Sequence, residues 1–282
     1  AVKNKKMIIQ SLLGMVIGGV AMFTFLHLIP KELLLKFYPK GDFETFAFFV
    51  SLLVGSFFAI ALHELGHLTA GLLQKHQLQL FVVAFFGLKR ENQRVRLFFN
   101  KEMQYFGGIS ATSPINLEGN LKIQFARILG TGPLFSLLFG GVFLFLFYYF
   151  DSAWNGFNGI VGLISIALFF ATTIPSKSGL FFTDRKRLQR LLNKGKVGEI
   201  ELALLQASFQ MLLDQNAKNL EINKLQLIQT DTEPVVQFWG FFFEYAYYKD
   251  HQNTEKATSL KNNLLNYQTL IPKGIWKSLA ID

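Results

Sequence analysis

The chain has no cysteine among its 282 residues. No disulfide can form, and any metal site must be built from His, Asp or Glu. Histidine is itself scarce, with five in all, so a close pair of them needs a reason. Acidic side chains are outnumbered, 19 against 28 lysines and arginines, for a formal charge of +9. That balance suits either nucleic acid or membrane-protein loops beside anionic lipid. No base-stacking or helix-turn-helix pattern is present, so no nucleic-acid partner is expected. Asp, Glu, Lys and Arg are absent from Met7–Ile29, and Thr45–Leu73 carries only Glu64. Uncharged runs of this length read as membrane spans.

What is present agrees. The chain is 51% hydrophobic with 32 phenylalanines, and four long apolar runs stand out: Met7–Ile29, Thr45–Leu73, roughly Gly132–Phe150 and roughly Trp154–Ile174. The first follows the basic stretch "AVKNKK"; it is too long for a signal-peptide core and has no clear small-residue cleavage site, so it is expected to be retained. Basic residues cluster in that N-terminal arm, in residues 74–123 and just past the fourth run, whereas Asp151–Asn158 has none. The positive-inside rule then places both termini in the cytoplasm. Residues 78–88 and 94–100 flank the polar stretch "KRENQ" and read as a β-hairpin, while "FGGIS" and "SPINLEGN" read as loop. From about residue 185 the composition turns soluble and helical. "PVVQFWGFFFEYAYYKD" is apolar all round, a buried helix with "NTEKATSLKNNLLNYQTL" as its antiparallel partner. Its aromatic stripe, Phe238, Trp239, Phe242 and Phe243, is expected to be core. The expected fold is mainly α: a polytopic membrane protein with about four transmembrane helices, a membrane-associated β-hairpin and a C-terminal cytoplasmic helical region. The domains expected are an N-terminal helix and external loop over 1–44, a core over 45–190 and a helical domain over 191–282. The Lys-, Asn- and Phe-rich composition points to a low-GC bacterium.

Inside the second run lies "ALHELGHL", which places His63, Glu64 and His67 where lipid disfavours ionisable groups; such residues mark function by default. On a helix, positions i and i+4 share a face, so His63 and His67 can converge on one metal ion. A glutamate beside such a pair is, in zinc hydrolases, not a ligand but the base that takes a proton from the attacking water. A bound ion also compensates for burying these groups. Gly55, Ala59, Gly66 and Ala70 form a small-residue stripe close to the histidine face, which lets another helix approach. A third ligand is required. The extended metzincin pattern fails, because Ala70 and Leu73 stand where it needs glycine and histidine. Glu91, in the basic turn, and Glu102 are candidates. Asp184 is the better one: it follows the apolar "GLFF" after the fourth run is broken at Pro175. Its competing role is to cap a helix beginning at Arg185.

These motifs resemble the site-2 protease family of intramembrane metalloproteases, over roughly residues 45–190. The likeness rests on H-E-L-G-H in a span, on "GTGPLFSLL" opening a later one and on "IPSKSGLFFTDRKRL" after the last. It implies that His63, His67 and Asp184 bind Zn2+ and that Glu64 is the catalytic base. It also implies a substrate-positioning role for Gly132, Pro133, Ser136, Thr172 and Pro175. Ser136 and Thr172 stand where asparagines are usual in the family, and Arg185 where glycine is usual. The implied substrate is a membrane-embedded or membrane-bound peptide or protein, cut near the cytoplasmic leaflet.

Substrate carbonyls are hidden in the hydrogen bonds of a helix, so a substrate has to unwind, and an edge of the 78–100 hairpin could receive it by strand addition. The C-terminal helices offer a surface for a protein partner. Two other functions compete. One is a catalytically weak relative that binds membrane peptides or serves as an immunity or scaffold protein, a reading motivated by the missing asparagines and opposed by the retained Glu64. The other is a metal transporter, opposed by the single metal-binding cluster and the lack of an inverted repeat.

Overall fold

The computed structural model describes residues 31–37, 40–150, 154–178, 181–279 and 281. The run Met7–Ile29 lies outside them. Among the described residues, three helices are long and apolar enough to cross a membrane: α2 (Asp42–Leu73), α3 (Leu121–Tyr149) and α4 (Asn155–Thr173). They follow a short helix, α1 (Lys31–Leu35). Small residues set how closely the three pack. Gly55 of α2 lies against Ile160 and Val161 of α4, and Gly140 of α3 against Ile166 of α4. Outward-facing Phe46, Phe49, Leu53, Leu138 and Phe145 are exposed, the surface that lipid rather than water suits.

Helix α3 starts eleven residues before the expected boundary at Gly132. "GTGP" reads as a helix start, yet the helix runs straight through Pro133. The proline removes one rung, at the carbonyl of Leu129. The preceding turns are held by other means. Asn120 caps them, accepting from the Ile123 amide at 3.1 Å, and Leu121 and Leu129 bury themselves against Leu191, Leu205 and Phe209 of the C-terminal helices.

Between α2 and α3 stands a four-stranded antiparallel sheet in the order β3-β2-β1-β4. Its strands are β1 (His76–Val83), β2 (Phe86–Glu91), β3 (Arg94–Phe99) and β4 (Ile109–Pro114). This corrects the hairpin expected over 78–100. The polar turn is real: Asn92 and Gln93 both take positive φ, 48° and 63°, between β2 and β3, as a two-residue hairpin turn requires. The apolar run before it is split by a second turn at Ala84–Phe85, with Ala84 at φ 52°. No local turn residue marks it. It is held from a distance by Asn100, which donates to the Ala84 carbonyl at 2.8 Å through its side chain and to the Phe85 carbonyl at 2.7 Å through its amide. The stretch read as loop contains β4, which pairs with β1 from His76↔Pro114 to Val82↔Ile109.

After α4 a small hairpin, β5 (Lys177–Ser178) and β6 (Phe181–Phe182), leads into α5 (Asp184–Leu192). Then follow α6 (Lys196–Asp214), α7 (Ile222–Gln229), α8 (Pro234–Asp250), α9 (Thr254–Leu265) and α10 (Lys273–Ser278). Phe238, Phe242 and Phe243 of α8 are core, and Trp239 packs against them partly buried; α9 packs on α8. The boundary drawn at 190/191 falls inside α5.

Candidate metal centre

Helix α2 carries His63 and His67 one turn apart on its buried face. Their Nε2 atoms lie 3.3 Å from each other. Asp184, the first residue of α5, brings its Oδ2 to 3.3 Å from Nε2 of His63 and 3.4 Å from Nε2 of His67. Among the described residues this is the only group of three or more His, Cys, Asp or Glu side chains able to share an ion. Glu91 pairs instead with Lys89 at 2.6 Å on the exposed sheet. Glu102 lies against Gly274 of α10.

The far side of each imidazole decides what the near side can do. Nδ1 of His67 is 2.7 Å from the carbonyl oxygen of Ile128. A carbonyl only accepts, so in the neutral ring Nδ1 carries the hydrogen and Nε2 keeps its lone pair. Nδ1 of His63 is 2.8 Å from the hydroxyl of Ser136, which can accept in the same way. Oδ2 of Asp184 is buried with no hydrogen-bond donor. Three electron-pair donors thus face one another, an arrangement that repels unless a cation lies among them. Zinc bonds of about 2.0–2.1 Å at tetrahedral angles put neighbouring donors about 3.3–3.4 Å apart. The residues present fit such an ion, and the outer hydrogen bonds are those that fix a ligating histidine.

Helix α3 supplies the room. A Cβ at Gly66 of α2 would lie 2.6 Å from the Thr131 carbonyl oxygen, and one at Gly132 only 2.2 Å from Nε2 of His67. Gly132 therefore makes space for the imidazole, and Pro133 beside it is buried. Pro133 opens the helical ladder close to Ile128, whose carbonyl takes the His67 hydrogen bond. Ser136 is fully buried. Thr172 turns its hydroxyl back onto the Leu168 carbonyl at 2.8 Å, and Pro175 is exposed in the link to β5.

Asp184 is delivered by a local device that sequence reasoning missed. The hydroxyl of Thr183 donates to the Ile174 carbonyl at 2.9 Å and accepts from the Ser176 amide at 3.0 Å. The residue before the carboxylate is thereby tied to the end of α4. Asp184 does not cap a helix starting at Arg185. It is itself in the first turn of α5, where the helix dipole favours an anion.

Glu64 is buried next to His63. Gly108, with φ 89°, passes so close that a Cβ there would lie 2.9 Å from Cγ and 3.0 Å from Oε1 of Glu64. Strand β4 begins one residue later and runs beside α2, its Thr112 against Gly71.

A family model for peptidase family M50 matches residues 48–276. The chain belongs to peptidase family M50. This is the site-2 protease family that its motifs resemble. Comparison with curated proteins and with solved structures finds no match. Membership and the three apolar helices make this M50 chain a membrane protein of a peptidase family. The family is generally one of zinc metalloproteases.

Proposed function

We propose that this chain is an intramembrane zinc metalloendopeptidase. It hydrolyses peptide bonds of membrane-embedded or membrane-bound substrates near the cytoplasmic leaflet. The observation that carries the reading is the triangle of His63, His67 and Asp184 donors at 3.3–3.4 Å, with both imidazoles turned so that Nε2 faces inward. His63, His67 and Asp184 would hold the ion. When bound, zinc supplies the Lewis acidity that makes water reactive near neutral pH. Glu64 takes the proton of the attacking water on its carboxylate and delivers it to the departing amine nitrogen. Ser136 and the Ile128 carbonyl hold the rings in orientation, and the surrounding helices exclude bulk water.

The substrate has to present an extended backbone. Among the described residues, β4 pairs only with β1, so one of its edges pairs with no strand, and Gly108, just before it, lies against Glu64. An unwound substrate segment adds to that edge, which moves the expected docking strand from the 78–100 hairpin to β4. A protein partner of the C-terminal helices and a cytoplasmic position for both termini belong to the same proposal.

The test is Glu64→Gln in the full chain. It should keep zinc and fold and lose cleavage of membrane peptides by about 10²–10⁴-fold, the usual worth of a general base. Near-wild-type turnover would defeat the mechanism. A wild-type chain that binds zinc and peptide but never cleaves would favour the binding-protein alternative.

A further inference from the structure

Helix α5 joins the metal cluster to the C-terminal helices. It has nine residues, too few to be stable or oriented on its own. Its direction is set by its contacts. Arg187 and Arg190 follow Asp184 on successive turns and face the C-terminal side. Glu201 of α6, 1% exposed, receives both: Arg187 Nε donates to Oε1 at 3.1 Å and Arg190 Nε to Oε2 at 3.0 Å. Arg190 also donates through Nη2 to Oδ2 of Asp231 at 2.6 Å, and Asp231 is itself buried. Beneath these guanidinium groups lie Phe182 of β6, 4.9 Å from Arg190, and Phe125 of α3, 4.8 Å from Arg187.

From this network we infer that Arg190 is a positioning residue for the metal site: with Glu201 and Asp231, it fixes the helix that presents Asp184, so zinc affinity depends on the C-terminal helices. The inference rests on Asp184 being a ligand.

A slip of α5 by one residue would move Asp184 about 1.5 Å along the axis and turn it about 100°. Zinc sites tolerate about 0.2 Å in ligand distance. The same slip would pull Arg190 from two buried carboxylates, and buried charges without partners are strongly disfavoured. The network therefore admits one register of α5. It also refers that register to α3 through Phe125, and α3 supplies the Ile128 carbonyl and Ser136 that orient the two histidines. All three donors are aligned against one element.

The experiment measures the zinc dissociation constant by chelator competition on the full chain in detergent. Arg190→Met and Arg190→Lys are each made alone and together with Asp184→Asn. Lysine keeps the charge but loses the planar fork that spans Glu201 and Asp231. It should fold wherever methionine fails to. In the otherwise wild-type chain, both substitutions should weaken zinc by about 10-fold or more, the scale of outer-shell effects. In the Asp184→Asn background neither should weaken it further, since the residue through which Arg190 acts has lost its charge. Equal weakening in both backgrounds, or none in either, overturns the inference. Unchanged zinc affinity in Asp184→Asn alone overturns the ligand reading, and the inference with it. Weakening by Asp184→Asn without weakening by either Arg190 variant removes the inference and leaves the ligand reading standing.

Discussion

Replacing Gly132 with alanine adds one methyl group at the point where α3 meets the imidazole of His67, a proposed zinc ligand. That methyl carbon would lie 2.2 Å from Nε2, 2.4 Å from Cε1 and 2.7 Å from Cδ2 of His67. Ordinary contact distances are about 3.5–4.0 Å, so the ring has to retreat by more than about 1 Å. A zinc ligand has about 0.2 Å of freedom. The ring cannot make that retreat and still coordinate, and leaving its place also strains the 2.7 Å bond to Ile128. The fold itself should lose about 1–3 kcal/mol to overpacking. Zinc affinity should fall by more than about 100-fold, the upper end of outer-shell effects, because a ligand itself is displaced.

The measurement is the zinc-dependent shift in thermal unfolding of the full chain in detergent. With free zinc buffered at about 100 times the wild-type Kd, the ion stabilises wild type by about 2.7 kcal/mol. A variant bound 100-fold more weakly would gain only about 0.4 kcal/mol at the same zinc level. Gly141→Ala is the control. It makes the same chemical change in the same helix, and a Cβ there meets nothing within 4 Å, so the zinc-dependent shift should stay whole. A full shift in Gly132→Ala would refute the placement of His67 against α3 and, with it, the geometry assigned to the site.

Ser136→Ala removes the group at Nδ1 of His63 and should weaken zinc by about 10-fold without unfolding the chain; unchanged affinity by chelator competition would show that the hydroxyl does not orient the ring. His76, buried between β4 and α3, is held by burial below its ordinary value of 6.5. The unfolded chain then takes up a proton that the folded chain refuses, so this contribution to stability is complete above about pH 6.5 and is lost as pH falls below it. Denaturation at about pH 7.5 and 5.5 should find His76→Gln losing less stability than wild type on acidification, and equal losses would contradict this. Reporter fusions at Asn155 and after Asp282 should lie on opposite sides of the membrane, and a shared side would reject cytoplasmic placement of both termini.

Much of this arrangement could be read from residue types, and what could not has a physical cause. The three apolar helices among the described residues showed because lipid leaves no alternative to uncharged helix. His63 and His67 showed because an i, i+4 pair in such a span has few other uses. The Asn92–Gln93 turn showed because its conformation selects its residues. The Ala84–Phe85 turn did not, since its carbonyls are satisfied by Asn100, fifteen and sixteen residues away in sequence. The start of α3 was misjudged for a similar reason. Gly130, Gly132 and Pro133 disfavour helix locally, while the burial of Leu121 and Leu129 against a distant part of the chain decides the outcome. Strand β4 was hidden because the alternation in "ISATSP" spans only four residues, with small Ala111 as its second apolar position, and its pairing partner β1 is distant in sequence.

The site shows the same division on a finer scale. Ile128, Gly132 and Ser136 are four residues apart and so lie along one face of α3. Each meets the histidine pair in a different currency: a backbone carbonyl, an absent side chain and a hydroxyl. Only the last two are visible as residue types. Ile128 acts through an atom that every residue possesses, so no pattern of side chains could have marked it. Its carbonyl is nonetheless what fixes the tautomer of His67, and a histidine whose other nitrogen is pinned presents one lone pair in one direction. A pair of rings fixed in this way needs only a carboxylate brought in from the side, and the chain supplies it from the first turn of a helix anchored elsewhere. That division of labour lets one apolar helix carry the two imidazole donors. The charged donor and its ionic supports, Arg187, Arg190, Glu201 and Asp231, sit outside the three apolar helices, where burying them does not require burying them in lipid.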